Sequence, residues 1–265
     1  MFTADLLDGQ TAIITGGGTG LGLAMARRFA SLGANVVLAS RNQSHLDDGA
    51  ATIVTTVPDA RVLTVAMDVR RPDDVDRMVN EAVGRFGRVD ILINNAAGNF
   101  VCKAEDLSPN GWNSVINIVL NGTFYCSRAV GRHMIAGGHG GSIVSILANY
   151  VWTGSAGTIH SAAAKAGVMS MTQTLAVEWA RHKIRVNAVA PGPIESPGAA
   201  KQLWASEADV ARITEMVPLK RWGQPSEVAD AVTFLVSPQS GYITGDVLTI
   251  DGGAWLGRGT FGFVS

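Results

Sequence analysis

The chain has 265 residues, 47% of them hydrophobic and 16% charged, enough for one well-packed domain at the upper end of single-core size. A net charge of −1 gives no electrostatic footprint for nucleic acid, and no apolar run approaches the length of a bilayer span. Two cysteines, Cys102 and Cys126, cannot build a disulfide framework and suit a reducing compartment.

The opening residues MFTADLLDGQ lack a positive stretch ahead of an apolar core, so no secretory signal is expected. The closing Phe263-Val264-Ser265 is not the peroxisomal tripeptide. The expected location is the cytoplasm, and the expected partners are small molecules or copies of the chain, with no nucleic acid and no membrane.

The first apolar run, Thr11–Thr15, leads through Gly16-Gly17-Gly18-Thr19-Gly20-Leu21-Gly22 into a helical pattern over Leu21–Leu32. Glycines let a turn reach positive φ and let the backbone approach a ligand. The helix N-terminus then offers free N–H groups and a positive dipole end to a pyrophosphate. A glycine cluster alone is weak. Between the first strand and helix of a βαβ unit it is a strong dinucleotide-binding signal, with Gly16, Gly18, Thr19, Gly20, Leu21 and Gly22 as candidates.

The second run, Asn35–Ala39, ends in Ser40-Arg41. In an NAD enzyme an Asp or Glu at this tip accepts from the ribose 2′-OH, and no carboxylate stands here. Arg41 can pair a 2′-phosphate in a bidentate manner, and Ser40 can add a hydrogen bond. NADP is therefore the expected cofactor; a solvated Arg41 at a helix start is the plain alternative.

Further strands are predicted at Arg61–Ala66, Ile91–Asn94, Ser142–Leu147, Arg185–Ala190 and Val247–Ile250. Helical patterns cover Ser44–Val57, Pro72–Phe86, Gly111–Ala136, Ala156–His182 and Ser226–Val236. Continuous apolar strands suit a parallel sheet covered on both faces. Their alternation with helices predicts a doubly wound, Rossmann-type α/β fold. No repeat or linker marks a second domain, so residues 1–265 are expected to form one. Only Gly192–Pro218, rich in Pro, Ala and polar residues, falls outside the alternation. Such a segment is usually functional, and a substrate lid near residues 192–218 is expected.

The spacing T-G-x-x-x-G-x-G resembles the short-chain dehydrogenase/reductase family. Asn94-Asn95-Ala96-Ala97-Gly98, Pro191-Gly192-Pro193-Ile194 and Asp251-Gly252-Gly253 follow in that family's order. The resemblance implies a seven-stranded parallel sheet and a nicotinamide cofactor beside Asn95, Ala96, Pro191, Gly192 and Ile194. Asp68 matches an adenine contact, and serves equally as a cap for the helix starting near Pro72. The resemblance also implies a catalytic Asn, Ser, Tyr and Lys. Lys165 falls on the lysine of Y-x-x-x-K, but Ser161 stands at the tyrosine, Ala148 at the serine and Val119 at the asparagine. A serine hydroxyl is far less acidic than a phenol, so ordinary alcohol–ketone chemistry has lost its proton donor.

Either the chain binds cofactor without catalysis, or the acid has moved. Tyr150, in the loop before the helix of Lys165, is one candidate. Asn99, at the carboxyl edge of the sheet where ligands bind, is another. A rim tyrosine packed on Trp152 and an asparagine suited to a turn are the plain alternatives.

The segments NNAAGNF (Asn94–Phe100), LSPNGW (Leu107–Trp112), IVLNGT (Ile118–Thr123), HSAAAKAG (His160–Gly167), PGPI and VPLKRWG (Val217–Gly223) resemble the 2,4-dienoyl-CoA reductases of this family. That resemblance implies Tyr150 as the working tyrosine, Asn99 as its assistant and Ser161 as the replacing serine. It gives Lys165 the nicotinamide ribose, with its charge lowering the phenol's pKa, and places Phe100 and Ser108 at substrate. It implies NADPH-dependent reduction of a 2,4-dienoyl-CoA to a 3-enoyl-CoA in the auxiliary β-oxidation of unsaturated fatty acids. It also implies a homotetramer paired through the two long helices.

Hydride added at the far end of the conjugated system pushes charge onto the thioester oxygen, so the need is for two hydrogen-bond donors there, ~3 kcal/mol each. The loop Glu195–Ala208 departs from expectation: Gln202 stands near where a basic coenzyme A contact belongs, with Lys201 the cation close by. Another enoyl or ketoacyl thioester, or an enone, is the alternative substrate. His160 beside Ser161 is not a nucleophile pair, because adjacent helix residues do not face each other and no G-x-S-x-G elbow exists. No metal site is expected.

Overall fold

Seven strands form one parallel sheet: β1 (Thr11–Thr15), β2 (Asn35–Ser40), β3 (Val62–Ala66), β4 (Ile91–Asn94), β5 (Gly141–Ile146), β6 (Ile184–Pro191) and β7 (Val247–Ile250). Their order is β3-β2-β1-β4-β5-β6-β7 in a computed structural model that describes residues 2–195 and 207–256. The strands read as unbroken apolar runs because both faces are covered. Successive side chains leave opposite faces, so Ala12 and Ile14 pack into one core while Ile13 packs into the other. Ile13 and Ile14 have no exposed surface, and each such burial contributes ~1.5–3 kcal/mol.

On the first face lie α1 (Gly20–Ala30), α2 (Gln43–Thr56) and α8 (Pro225–Val236), supplying Phe29, Leu46, Ile53 and Val232. On the second lie α3 (Pro72–Phe86), α5 (Gly122–Gly137) and α6 (Ile159–Trp179), supplying Met78, Val130 and Ala176. The limits of α3 follow from its sequence. Pro72 and the acidic Asp73 and Asp74 start it, and Gly87 at φ 85° ends it.

The chain builds β1 to β3 outward in one direction, then crosses to β4 on the other side of β1. This reversal opens a crevice at the carboxyl ends of β1 and β4, the place where ligands bind in open α/β sheets. All the loops singled out in the sequence leave the sheet at that edge.

The predicted strands agree with the observed ones to within a residue at each end. The helices differ more. Gly111–Ala136 is not one α-helix: α4 (Pro109–Ile116) passes into a π turn over Asn117–Asn121 before α5. A π turn shifts the hydrogen-bond register without breaking the apolar pattern, and such turns gather at functional sites. The predicted Ala156–His182 starts as α6 only at Ile159 and ends in a tight turn, Ala180–His182. Gly192–Pro218 is not all loop: Glu207–Met216 forms a further helix, α7. Among the described residues, no helix is long and apolar enough to cross a membrane.

Candidate active site

A cleft of about 1550 Å³ runs along the carboxyl edge of the sheet, from the Gly16 turn to Trp222. At one end the turn after β1 is held from below. Thr15 Oγ1 donates to the Ile93 carbonyl at 3.2 Å and accepts the Asn95 and Ala96 N–H groups at 3.0 Å each. The Asn95 side-chain amide donates to the Thr15 and Gly16 carbonyls at 2.9 and 3.2 Å. Gly16 and Gly20 take φ of 65° and 54°, where a side chain would be strained.

Gly16, Thr19, Gly20, Leu21, Asn95 and Ala96 line the cleft, and so do Ser40, Arg41, Asp68, Pro191, Gly192 and Ile194. Gly18 and Gly22 do not line it; they let its parts close up. A Cβ on Gly18 would meet the His45 carbonyl oxygen at 2.5 Å, and one on Gly22 would meet that of Gly16 at 2.2 Å.

These residues fit a nicotinamide dinucleotide. Thr19 precedes α1 without a side-chain cap, and the first turn carries no acid, so the helix end is open to a pyrophosphate. Arg41 is exposed at the tip of β2 and makes no ion pair among the described residues. Asp68 does not cap α3, whose N-cap is Arg71. Its Oδ1 accepts the backbone N–H and Nε of Arg70 at 3.0 and 2.9 Å. The Arg70 guanidinium holds the Asp68 carboxyl below its usual value.

Asn99, Ala148 and Tyr150 line the same cleft. The Tyr150 hydroxyl and Ser161 Oγ share a hydrogen bond of 2.9 Å. Ser161 is buried at the start of α6, and the half-buried phenol covers it. Asn99 uses its side-chain oxygen to accept the Phe100 N–H at 3.0 Å.

Lys165 is 7% exposed, and its Nζ donates to the Ile146 carbonyl at the end of β5. Burial lowers its pKa to about 8. Burial also raises the Tyr150 phenol, opposed only by the Ser161 bond. The expectation that Lys165 lowers the phenol's pKa is therefore corrected: desolvation sets the direction, and the ammonium is turned toward Ile146 instead. A raised phenol stays protonated near neutrality, as a hydrogen-bond donor must.

Phe100 and Ser108 lie outside the cleft lining. Phe100 packs edge-on against His160, ring centroids 4.3 Å apart. Ser108 caps α4 by accepting the Gly111 N–H at 3.1 Å. His160 is fully buried, its Nδ1 accepting the Ser161 N–H at 2.9 Å, so it packs and caps rather than attacks. Lys201 and Gln202 lie outside the described residues, as does the tripeptide Phe263-Val264-Ser265.

Several contributors escaped the sequence reading. Ile213, Met216, Val217 and Trp222 add apolar surface to the lining of the same cleft as Tyr150. Val210, Ile213 and Met216, three apart on α7, were the available signal. Asn149 Nδ2 donates to Asp251 Oδ2 at 3.1 Å across 102 residues, a contact with no local signature.

A family model described as enoyl-(acyl carrier protein) reductase matches residues 16–254. The chain belongs to the short-chain dehydrogenase/reductase family and is an oxidoreductase with a nicotinamide cofactor. It is 50% identical over 251 residues to a probable 2,4-dienoyl-CoA reductase [(2E)-enoyl-CoA-producing] of Bacillus subtilis (strain 168), covering 94% of this chain and 98% of that one. It is 44% identical over 256 residues to a peroxisomal 2,4-dienoyl-CoA reductase [(3E)-enoyl-CoA-producing] of Danio rerio, covering 97% and 85%. The crystal structure of a short chain dehydrogenase from Bacillus anthracis str. 'Ames Ancestor' superposes with a TM-score of 0.84 at 50% identity, covering 93% of this chain and 96% of that one.

Proposed function

We propose that this chain is an NADPH-dependent reductase of 2,4-dienoyl-CoA thioesters in the auxiliary β-oxidation of unsaturated fatty acids. The observation that carries the reading is the Tyr150–Ser161 hydrogen bond of 2.9 Å at the cleft wall, which sets a relocated phenol over a serine at the family's tyrosine position. Names of relatives at 50% and 44% identity support the substrate class.

When bound, the reduced nicotinamide supplies a hydride. The chain's own residues handle the charge that results. Tyr150 O–H and the Asn99 amide donate hydrogen bonds to the thioester oxygen as it becomes an enolate, each worth ~3 kcal/mol in a dry site. Ser161 holds the phenol in place, and Lys165 suits the hydroxyls of the nicotinamide ribose. Arg41 and Ser40 take the 2′-phosphate, there being no carboxylate at the end of β2 to prefer a free hydroxyl. Phe100 and Ser108 shape the substrate side from behind the lining.

With both donors assigned to the oxygen and no acid assigned to the γ-carbon, the dienolate takes its proton at the α-carbon from water. The product is then the 3-enoyl thioester, the product in the name of the Danio rerio relative, whereas the Bacillus subtilis relative is named for the 2E-enoyl product. The described part of 192–218 carries Ile213, Met216 and Val217 on the cleft wall and serves as the substrate lid. Phe124 on α5 and Ile159 and Val177 on α6 leave apolar surface exposed, which supports the homotetramer; a monomer by light scattering would refute it. Cys102 and Cys126 are free; the compartment proposed is the cytoplasm, whereas several relatives are named as peroxisomal.

The test is NADPH oxidation with a 2,4-dienoyl-CoA beside ketone substrates. Tyr150→Phe is expected to lose ~10²–10³-fold in kcat. Wild-type turnover in that variant would remove Tyr150 from the mechanism, and faster turnover of ketones would overturn the substrate class. A product that keeps its enoyl conjugation in the ultraviolet would overturn α-protonation.

A further inference from the structure

The proposed role of Tyr150 demands a fixed phenol. Its loop is tied to the fold near its two ends, where Asn149 N–H donates to the Pro191 carbonyl at 3.0 Å and the Gly157 carbonyl accepts the Cys102 N–H at 2.8 Å, and Val151 is buried, but the stretch between is open. Between β5 and α6, Trp152 to Ala156 are exposed, and the local bonds run within the loop, from Val151 N–H to Ala148 and from Gly154 N–H to Tyr150. Each residue held in one backbone conformation costs ~1–2 kcal/mol of entropy, so something outside the loop must hold it.

Two contacts come from the turn after β7. Asn149 Nδ2 donates to Asp251 Oδ2 at 3.1 Å, and the rings of Trp152 and Trp255 lie 5.0 Å apart at 31°. They flank Tyr150 on both sides in the chain. Their base is rigid: Asp251 follows β7 directly and is 9% exposed. Its other bonds, from Gly253 N–H at 2.9 Å and Trp255 N–H at 2.8 Å, tie the turn to the same carboxylate. The fit is close, since a Cβ on Gly192 would lie 2.5 Å from that of Asp251.

We infer that the turn Asp251–Leu256 is a positioning element for Tyr150, gripping its loop through the Asn149–Asp251 bond and the Trp152–Trp255 stack. The inference rests on the catalytic reading of Tyr150 given above. One carboxylate sets both grips, because it bonds Asn149 directly and fixes the backbone that carries Trp255. Trp255 is not part of the cleft lining; it acts through the phenol.

The test combines Trp255→Ala with Trp152→Leu, which breaks the same stack from an exposed residue and serves if the first variant fails to fold. Hydrogen exchange of the 147–158 segment, read without substrate, is expected to quicken in both. A displacement of about 1 Å in a catalytic group lowers turnover ~10²-fold, so kcat is expected to fall about 10–100-fold while KM for NADPH stays within about twofold. Trp255→Phe is expected to restore most of the rate. In a Tyr150→Phe background, Trp255→Ala is expected to cost no more than about a further twofold, the sign of coupled residues. Unchanged loop exchange in both stack variants would overturn the inference, and so would a full, additive loss in the Tyr150→Phe background. If Tyr150→Phe keeps wild-type activity while the loop exchange quickens, the grip stands and the catalytic reading of Tyr150 falls.

Discussion

Replacing Lys165 with methionine is expected to make the cofactor-free protein more stable and nearly inactive. The lysine is 7% exposed, no carboxylate pairs with it among the described residues, and its Nζ donates to the Ile146 carbonyl. Burial takes its pKa from 10.5 to about 8, so the folded state disfavours the ammonium by about 3 kcal/mol relative to the unfolded chain. The sign follows from the proton count. Below about pH 8 both states carry the proton, and the folded protein bears the full cost. As pH rises from about 8 to 10.5 the folded state gives up its proton first, and the cost is relieved.

Methionine keeps the length of the side chain and removes the charge. It also forfeits the bond to Ile146, a loss of about 1 kcal/mol. The net expectation at pH 6.5 is a gain of about 2 kcal/mol, or about 4–8 °C in Tm for a domain of this size. Urea unfolding of wild type and Lys165→Met at pH 6.5, 8 and 10 measures it. The gain should shrink toward pH 10 and turn slightly negative above it. A wild type that is more stable at pH 6.5, or a difference flat across the series, refutes the reasoning.

Arg41→Ala is expected to reduce kcat/KM for NADPH by about 10–100-fold, from the loss of a charge-assisted phosphate contact of ~1.5–3 kcal/mol, with little change for NADH; an equal loss with both cofactors would count against the 2′-phosphate role. Thr15→Val leaves the part-buried N–H groups of Asn95 and Ala96 without the acceptor they have at 3.0 Å. Because both line the open cleft and water reaches part of each, thermal unfolding should show a loss of about 1–3 kcal/mol in all, and no measurable loss would show that the turn relaxes onto other partners. Gly22→Ala sets a Cβ 2.2 Å from the Gly16 carbonyl oxygen. Because backbone must move, a loss of about 1–3 kcal/mol in stability and weaker NADPH binding by fluorescence titration are expected.

The sheet was legible because burial on both faces writes itself as unbroken apolar runs, and Thr11–Thr15 or Ile91–Asn94 admits few other readings. The lost family residues were legible for a different reason. A serine at 161 and an alanine at 148 are visible absences, Tyr150 stands in the loop between them, and Asn99 follows the Asn94–Gly98 turn far off in sequence; it is the resemblance to the 2,4-dienoyl-CoA reductases that singles these two out. What the sequence hides is contact across distance and the solvent around each group. The π turn at Asn117–Asn121 leaves the apolar spacing of its helix intact, so nothing in residue order marks it. Asn149 and Asp251 stand 102 residues apart and meet only because β5, β6 and β7 lie side by side.

Burial is hidden too, and it reverses one expectation. A lysine near a tyrosine predicts a more acidic phenol; the folded site instead raises Tyr150 and lowers Lys165, each through loss of water. Enolate stabilisation through a hydrogen bond needs a phenol that keeps its proton, whereas a phenol serving as an ordinary proton relay gains from a pKa drawn toward neutrality. The direction at Tyr150 comes from burial and fits a hydrogen-bond donor that keeps its proton; residue identity alone does not show that direction.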